Sequence, residues 1–173
     1  MSSEKGNRLR PAARSPFVDV ERIRRVVTGI GEDGRSTIDR DGPSPNLRPA
    51  APGVRYTELW STPSAPARPG ETVTDAGDVA LTLVPERGGT LIRICEMYPP
   101  EPGAESFAMH GTPTMDYIVV LSGRLTCTME DGSRATLGPG ETLIQRATQH
   151  AWTAEGDEPC VFLAVIVDAA AGD

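Results

Sequence analysis

From residue 79 onward the chain alternates apolar and polar residues in short bursts separated by turn residues. VALTLV (79–84), TLIRICEMY (90–98), DYIVVLSG (116–123), RLTCTME (124–130), SRATL (133–137), ETLIQR (141–146), HAWTA (150–154) and CVFLAVIV (160–167) each read as a β-strand. PERGG, PPEPGAE, EDG, GPG and EGDEP fill the gaps with turn chemistry. No gap after residue 79 could hold a crossover helix, so the pattern predicts an antiparallel all-β sandwich or barrel. Alternation also assigns faces. In 124–130, Leu125, Cys127 and Met129 fall opposite Thr126, Thr128 and Glu130. In 90–98, Leu91, Arg93, Cys95 and Met97 fall opposite Ile92 and Ile94. Arg93 therefore shares a face with core residues. It is expected at a sheet edge, with a cavity-facing charge as the alternative.

The N-terminal part is less regular. Residues 1–16 are polar and read as a flexible, disordered basic tail. FVDVERIRRVVTGI (17–30) is a short helix or a strand, and Val26-Val27-Thr28 favours a strand at its end. RSTID and VRYTELW (54–60) read as further strands, whereas 61–78 is a proline-rich loop. The organisation predicted is a tail (1–16), extra N-terminal strands and a loop packing on the barrel (17–78), and the barrel itself (79–168). Trp60 and Tyr117 are expected in the core.

Composition sharpens this picture. With 173 residues, 38% hydrophobic but only 5% aromatic, the chain suits one domain whose core is mainly Val, Leu, Ile and Ala. The net charge of −7 is uneven: residues 1–25 carry seven Lys or Arg against three acids, leaving the body near −11. An acidic body repels phosphate backbones, so no nucleic-acid partner is expected. Three cysteines without CxxC spacing, Cys95, Cys127 and Cys160, read as buried small hydrophobes in a reducing compartment. No leader-like or 18-residue apolar stretch is present, so no membrane association and a cytoplasmic location are expected.

The chain has two histidines, His110 and His150. The residues around them are similar to the two motifs of the cupins, small β-barrels of the jelly-roll type. For the first motif, Gly103 precedes His110 by six spacers, Thr112 stands in place of a second histidine, Asp116 in place of a glutamate, and Gly123 closes it. For the second, Gly140 is followed by Arg146 and Thr148 in place of Pro and Gly, His150 stands at the histidine, and Ala154 replaces Asn. The resemblance covers roughly residues 79–167.

What the resemblance implies is an antiparallel jelly-roll barrel holding one divalent metal (Fe, Zn, Mn or Ni) on His110, Asp116 and His150, the same residues being catalytic. Two imidazoles and a carboxylate make up the facial triad of non-haem iron sites and would also suit Zn²⁺. Thr112 is a poor ligand, Asp116 reaches less far than Glu, and Gln145 could add a carbonyl oxygen. Thr112, Gln145, Arg93, Arg146, Trp152, Phe107 and Met109 are candidate pocket or supporting residues, and Arg146 could meet an anionic substrate. The expected function is a metal-dependent cupin enzyme acting on a small, partly apolar substrate by lyase, dehydratase, decarboxylase, isomerase or dioxygenase chemistry. The alternatives are a non-catalytic small-molecule binding or sensing module, and a metal-free acid–base enzyme. A homodimer pairing through sheet edges is expected.

Overall fold

The structure, a computed structural model, describes residues 20–68, 75, 82–101 and 108–169. The tail assigned to residues 1–16 lies outside them. Among the described residues there are eleven strands, one 3-10 turn (Val20–Arg22) and no α-helix. The strands are β1 (Arg24–Ile30), β2 (Ser36–Pro43), β3 (Leu47–Ala51), β4 (Val54–Thr62), β5 (Thr90–Met97), β6 (Thr114–Ser122), β7 (Leu125–Met129), β8 (Arg134–Leu137), β9 (Thr142–Arg146), β10 (His150–Ala154) and β11 (Cys160–Asp168).

Every strand pair is antiparallel. A six-stranded sheet runs β3-β4-β5-β11-β6-β9, a three-stranded sheet runs β10-β7-β8, and β1-β2 form a separate hairpin. The ladder is not continuous from one sheet to the other, so the jelly-roll is two facing sheets rather than a closed barrel. Its core lies between them. Leu91, Cys95, Met97, Ile118, Val120, Phe162 and Ala164 come from the large sheet and meet Leu125, Cys127, Leu137, Trp152 and Ala154 from the small one. The alternation read for 90–98 and 124–130 therefore holds.

CVFLAVIV is apolar throughout for a second reason. Val161, together with Ile94 of β5, packs on the outer face of the large sheet against Val20, with Ile23, Leu59, Leu121 and Leu163 around them. The hairpin is tied to this face by Arg25, which donates to the Leu59 carbonyl at 2.9 Å and pairs with Asp75 at 2.6 Å.

Three expectations need correction, and one strand was not foreseen. Within 79–84, residues 79–81 lie outside the described set, and 82–84 form a bend rather than a strand. Pro85 restricts Val84, and the Thr82 carbonyl is taken by the Arg93 side chain at 2.7 Å instead of a neighbouring strand. β3 escaped the sequence reading because it contains Pro49; it is the outermost strand of its sheet, where a missing N–H is tolerated. Tyr117 is 44% exposed because it alternates with the inward Asp116 and Ile118. Trp60 is only half-buried and lines a groove beside Arg25 and Val27. Among the described residues no helix is long and apolar enough to cross a membrane.

Candidate active site

His110 belongs to no long strand, yet its backbone pairs with that of His150 at the start of β10. The His110 N–H donates to the His150 carbonyl at 2.9 Å, and the His150 N–H donates back at 2.8 Å. Residues directly opposite in an antiparallel pair project to the same side. The two rings accordingly meet with centroids 4.5 Å apart and planes tilted 57°.

The hydrogen bonds assign the tautomers. Nδ1 of His110 lies 2.9 Å from the Ala108 carbonyl, and Nδ1 of His150 lies 2.9 Å from the Thr148 carbonyl. A carbonyl only accepts, and its 2.9 Å contact with His150 Nδ1 is shorter than the 3.3 Å approach of the Gln145 amide nitrogen to the same atom, so both Nδ1 atoms are assigned the hydrogen and both lone pairs sit on Nε2. His150 is only 2% exposed. Burial lowers its pKa, and His110 lowers it further, against the Thr148 bond and Asp116, which raise it. The neutral imidazole is the favoured form.

The connection that delivers His150 is tight. Ala147 adopts φ +51°, a conformation that side chains other than glycine enter at a cost of about 1–3 kcal/mol. Two acceptors hold it there: its N–H donates to the Gln145 Oε1 and to the Thr114 carbonyl, both at 2.9 Å. Gln145 thus spends its carbonyl oxygen on the turn, while its amide donates to the Thr148 carbonyl at 3.3 Å. It is a positioning residue for the His150 loop and does not line the cavity, contrary to the ligand expectation.

Across from the histidines, the inner face of the large sheet contributes Asp116 from β6 and Arg93 from β5. The Asp116 Oδ1 is buried without a hydrogen-bond partner, and burial raises the pKa of this carboxyl. Arg93 is 1% exposed. β5 has a neighbour on either side, so the edge position expected for Arg93 is replaced by its alternative, a charge facing the cavity. Its cross-strand partner on β4 is Glu58, with guanidinium and carboxylate 3.1 Å apart, and the guanidinium lies 4.4 Å from the Tyr56 ring centroid. Burial pushes the Tyr56 hydroxyl up to about 12. All these groups except Glu58 border one cavity of about 60 Å³ between the sheets, with Thr112, Cys95, Trp152, Phe162 and Ile166 among its walls. That is room for a handful of water-sized groups. The Trp152 ring stands edge-on to His150 at 5.2 Å and shields it.

The cavity therefore gathers His110, His150, Asp116, Thr112, Arg93 and Trp152. Thr112 bonds to Thr114 at 2.7 Å, hydroxyl to hydroxyl. Met109 is 43% exposed and Arg146 is exposed, and neither borders the cavity, because strand alternation turns Arg146 away from the buried Gln145. Phe107 lies outside the described residues. Tyr56 and Glu58 were missed: both come from β4, outside the motifs. Their one signal was period-two spacing in VRYTELW, which puts them on a common face. Cysteine chemistry is not available here, since burial raises the thiols of Cys95, Cys127 and Cys160.

A metal requires three convergent donors. The chemistry of the donors suits one, because ligating histidines commonly anchor Nδ1–H on a carbonyl. The spacing does not. Among the described residues no group of three His, Cys, Asp or Glu stands close enough to hold an ion.

Residues 99–166 match the model of the family described as cupin domain. Over that segment the chain is similar to a cupin domain. A phomopsin biosynthesis cluster protein C' from Diaporthe leptostromiformis is 38% identical over 65 residues, which is 38% of this chain and 32% of that protein's length. A cupin-domain-containing oxidoreductase, fogC, from Aspergillus ruber is 26% identical over 162 residues, 88% of this chain and 76% of its own. The cupin domain of Schizosaccharomyces pombe Cnp3 superposes with a TM-score of 0.50 at 11% identity, covering 84% of this chain and 87% of that one, a likeness of fold. The matched segment contains every residue of the His110–His150–Asp116 cluster, whereas Arg93, Tyr56 and Glu58 precede it.

Proposed function

We propose that this chain is a cupin enzyme that moves a proton on a small, partly apolar organic substrate, in an isomerisation or an elimination. The observation that carries the reading is the direct backbone pairing of His110 with His150, which brings two imidazoles together beside a buried carboxylate in an apolar cavity. His150 is the base. Its neutral ring takes a proton from the carbon next to a substrate carbonyl, and the C–H electron pair moves toward the carbonyl oxygen, leaving an enolate. The charge of Asp116 favours the imidazolium so formed. The His150 imidazolium gives the proton up again, directly or through the Nε2 lone pair of His110, to another carbon or to a departing hydroxyl. Trp152 and Phe162 keep water from the enolate. A positioned base of this kind contributes about 10²–10⁴-fold. Similarity to a protein named for a biosynthesis cluster supports an organic substrate.

The test is solvent exchange. A panel of small ketones and 2-oxo acids in D₂O is incubated with protein, and deuterium uptake next to the carbonyl is followed by NMR. Uptake above buffer that falls at least 100-fold in His150→Gln supports the reading. Exchange that survives in His150→Gln, or no exchange across the panel, sinks it.

A second reading is favoured by the two anchored Nδ1–H groups and the partnerless Asp116 oxygen. In it His110, His150 and Asp116, which stand too far apart here to share an ion, would have to draw together around one, and the ion would supply Lewis-acid polarisation of the substrate oxygen. Metal analysis of protein purified without a histidine tag decides it: stoichiometric metal that is lost in His150→Ala supports it, and a metal-free wild type does not.

A further inference from the structure

Six buried side-chain atoms of the described residues have no hydrogen-bond partner; they lie on Thr57, Glu58, Arg93, Asp116 and Ser122. Only two of those residues border the histidine cavity: Arg93, whose orphan is the Nε donor, and Asp116, whose orphan is the Oδ1 acceptor. A buried guanidinium is costly unless its charge and its donors are met. Arg93 meets its needs in part. One terminal nitrogen reaches the Thr82 carbonyl at 2.7 Å, and the Tyr56 ring lies beneath at 4.4 Å. Its nearest anion, Glu58, stands at 3.1 Å, but neither Glu58 oxygen has a hydrogen-bond partner. Burial also raises the Glu58 pKa, so compensation by that carboxylate is incomplete.

The two orphans are on the same inner face. Arg93 pairs with Ala164 of β11, which pairs with Ile118 of β6, and Asp116 is two residues from Ile118. That places them on strands about 10 Å apart, with Ala164 and Ile166 of β11 between them. One ligand reaching both must offer an anionic acceptor and a donor, on a small body that fits among Trp152, Phe162 and Ile166.

We propose that Arg93 is the substrate anchor, and that the cavity takes a small 2-hydroxy or enol carboxylic acid. The carboxylate accepts from the Arg93 guanidinium, including Nε, and the hydroxyl donates to Asp116. This rests on the reading of the cavity as the site of proton transfer and adds its substrate class. It also gives the buried Arg93 a purpose that the Glu58 pair alone does not.

Matched ligands test it on the unaltered protein. Calorimetric titration with 2-hydroxyisovalerate, its primary amide 2-hydroxyisovaleramide and the deoxy acid isovalerate compares shape-matched probes. The hydroxy acid is expected to bind at least 30-fold more tightly than the amide and at least 5-fold more tightly than isovalerate. Arg93→Lys, which retains the positive charge beside Glu58 but not the forked donors, is expected to lose at least 10-fold for the hydroxy acid with an unchanged melting temperature. Equal binding of acid and amide, equal binding of hydroxy and deoxy acid, or no binding of any probe overturns the proposal. If the variant unfolds, the three wild-type titrations still decide it. The deuterium-exchange assay separates this outcome from the fate of the broader reading. Exchange on neutral ketones, undiminished in Arg93→Lys and absent from 2-oxo acids, removes the acid anchor and retains the histidine base. Selective acid binding without exchange does the reverse.

Discussion

Gly123, between β6 and β7, is a position where the fold has no room for a single added methyl group. Its φ is +75°, and a Cβ there would stand 2.7 Å from the Pro159 carbonyl oxygen and 2.8 Å from the Cys160 Cα. Both neighbours are backbone, so the contact is relieved only by moving the start of β11. Placing an L side chain in the left-handed region costs about 1–2 kcal/mol, and forcing a packed neighbour aside costs about 1–3 kcal/mol more. The smaller entropy of unfolded alanine returns about 0.4–1 kcal/mol. Gly123→Ala is therefore expected to destabilise by about 1–5 kcal/mol, or roughly 2–20 °C in Tm for a chain of this size. Gly132→Ala is the control: its φ is +83° with nothing within 4 Å of the added Cβ, so it bears the backbone cost alone. Urea and thermal unfolding of both variants, followed by tryptophan fluorescence, measure the difference. β11 carries Ala164 and Ile166, in register with Arg93 and Asp116 respectively, so displacement of its start is also expected to lower substrate binding. Equal destabilisation by the two substitutions would refute the close-approach argument.

Three further outcomes are expected. The His150 ring should titrate below the ordinary imidazole value of 6.5. As pH falls below 6.5 the unfolded chain gains a proton that the folded one resists, so the contribution of this group to stability is lost toward its folded pKa. His150→Gln should consequently lose less stability than wild type between pH 7 and pH 5, and a histidine NMR midpoint above 6.5 would contradict the assignment. Asp116→Asn should leave stability at pH 7 intact or raised, because burial disfavours the ionised carboxyl, and should lower the His150 midpoint further; a loss beyond about 1 kcal/mol argues for a structural ion pair instead. The exposed Val26, Ile30 and Ile38 on the β1–β2 hairpin support the proposal of a homodimer, which sedimentation at micromolar concentration checks and a single-chain mass rejects.

Much of the fold was legible because its signals are local. Short apolar or alternating runs identified seven strands from β5 to β11, and turn residues marked their ends; 82–84 failed because a short apolar run before Pro85, with Thr82 its one polar residue, carries no information about a partner strand. The candidate site was half legible. His110, His150 and Asp116 were found through their spacing, and the cavity does contain all three. Arg146 and Gln145 were read into it since both flank the second motif, yet one points to solvent and the other is consumed by the Ala147 turn.

The sequence by itself determined that the segments from β5 to β11 are strands, how residues within them alternate between two faces, and that the cysteines are buried, because side-chain direction along a strand follows from backbone geometry alone. Strand order and register were decided only in three dimensions. They put β5 in the middle of a sheet and so turned Arg93 from an expected edge residue into a buried cation opposite Glu58. They also set His110 directly across from His150, 40 positions later. Such neighbours are chosen by how two sheets close over a common core, a balance of burial against chain entropy summed over the whole domain, and no short stretch of residues contains it.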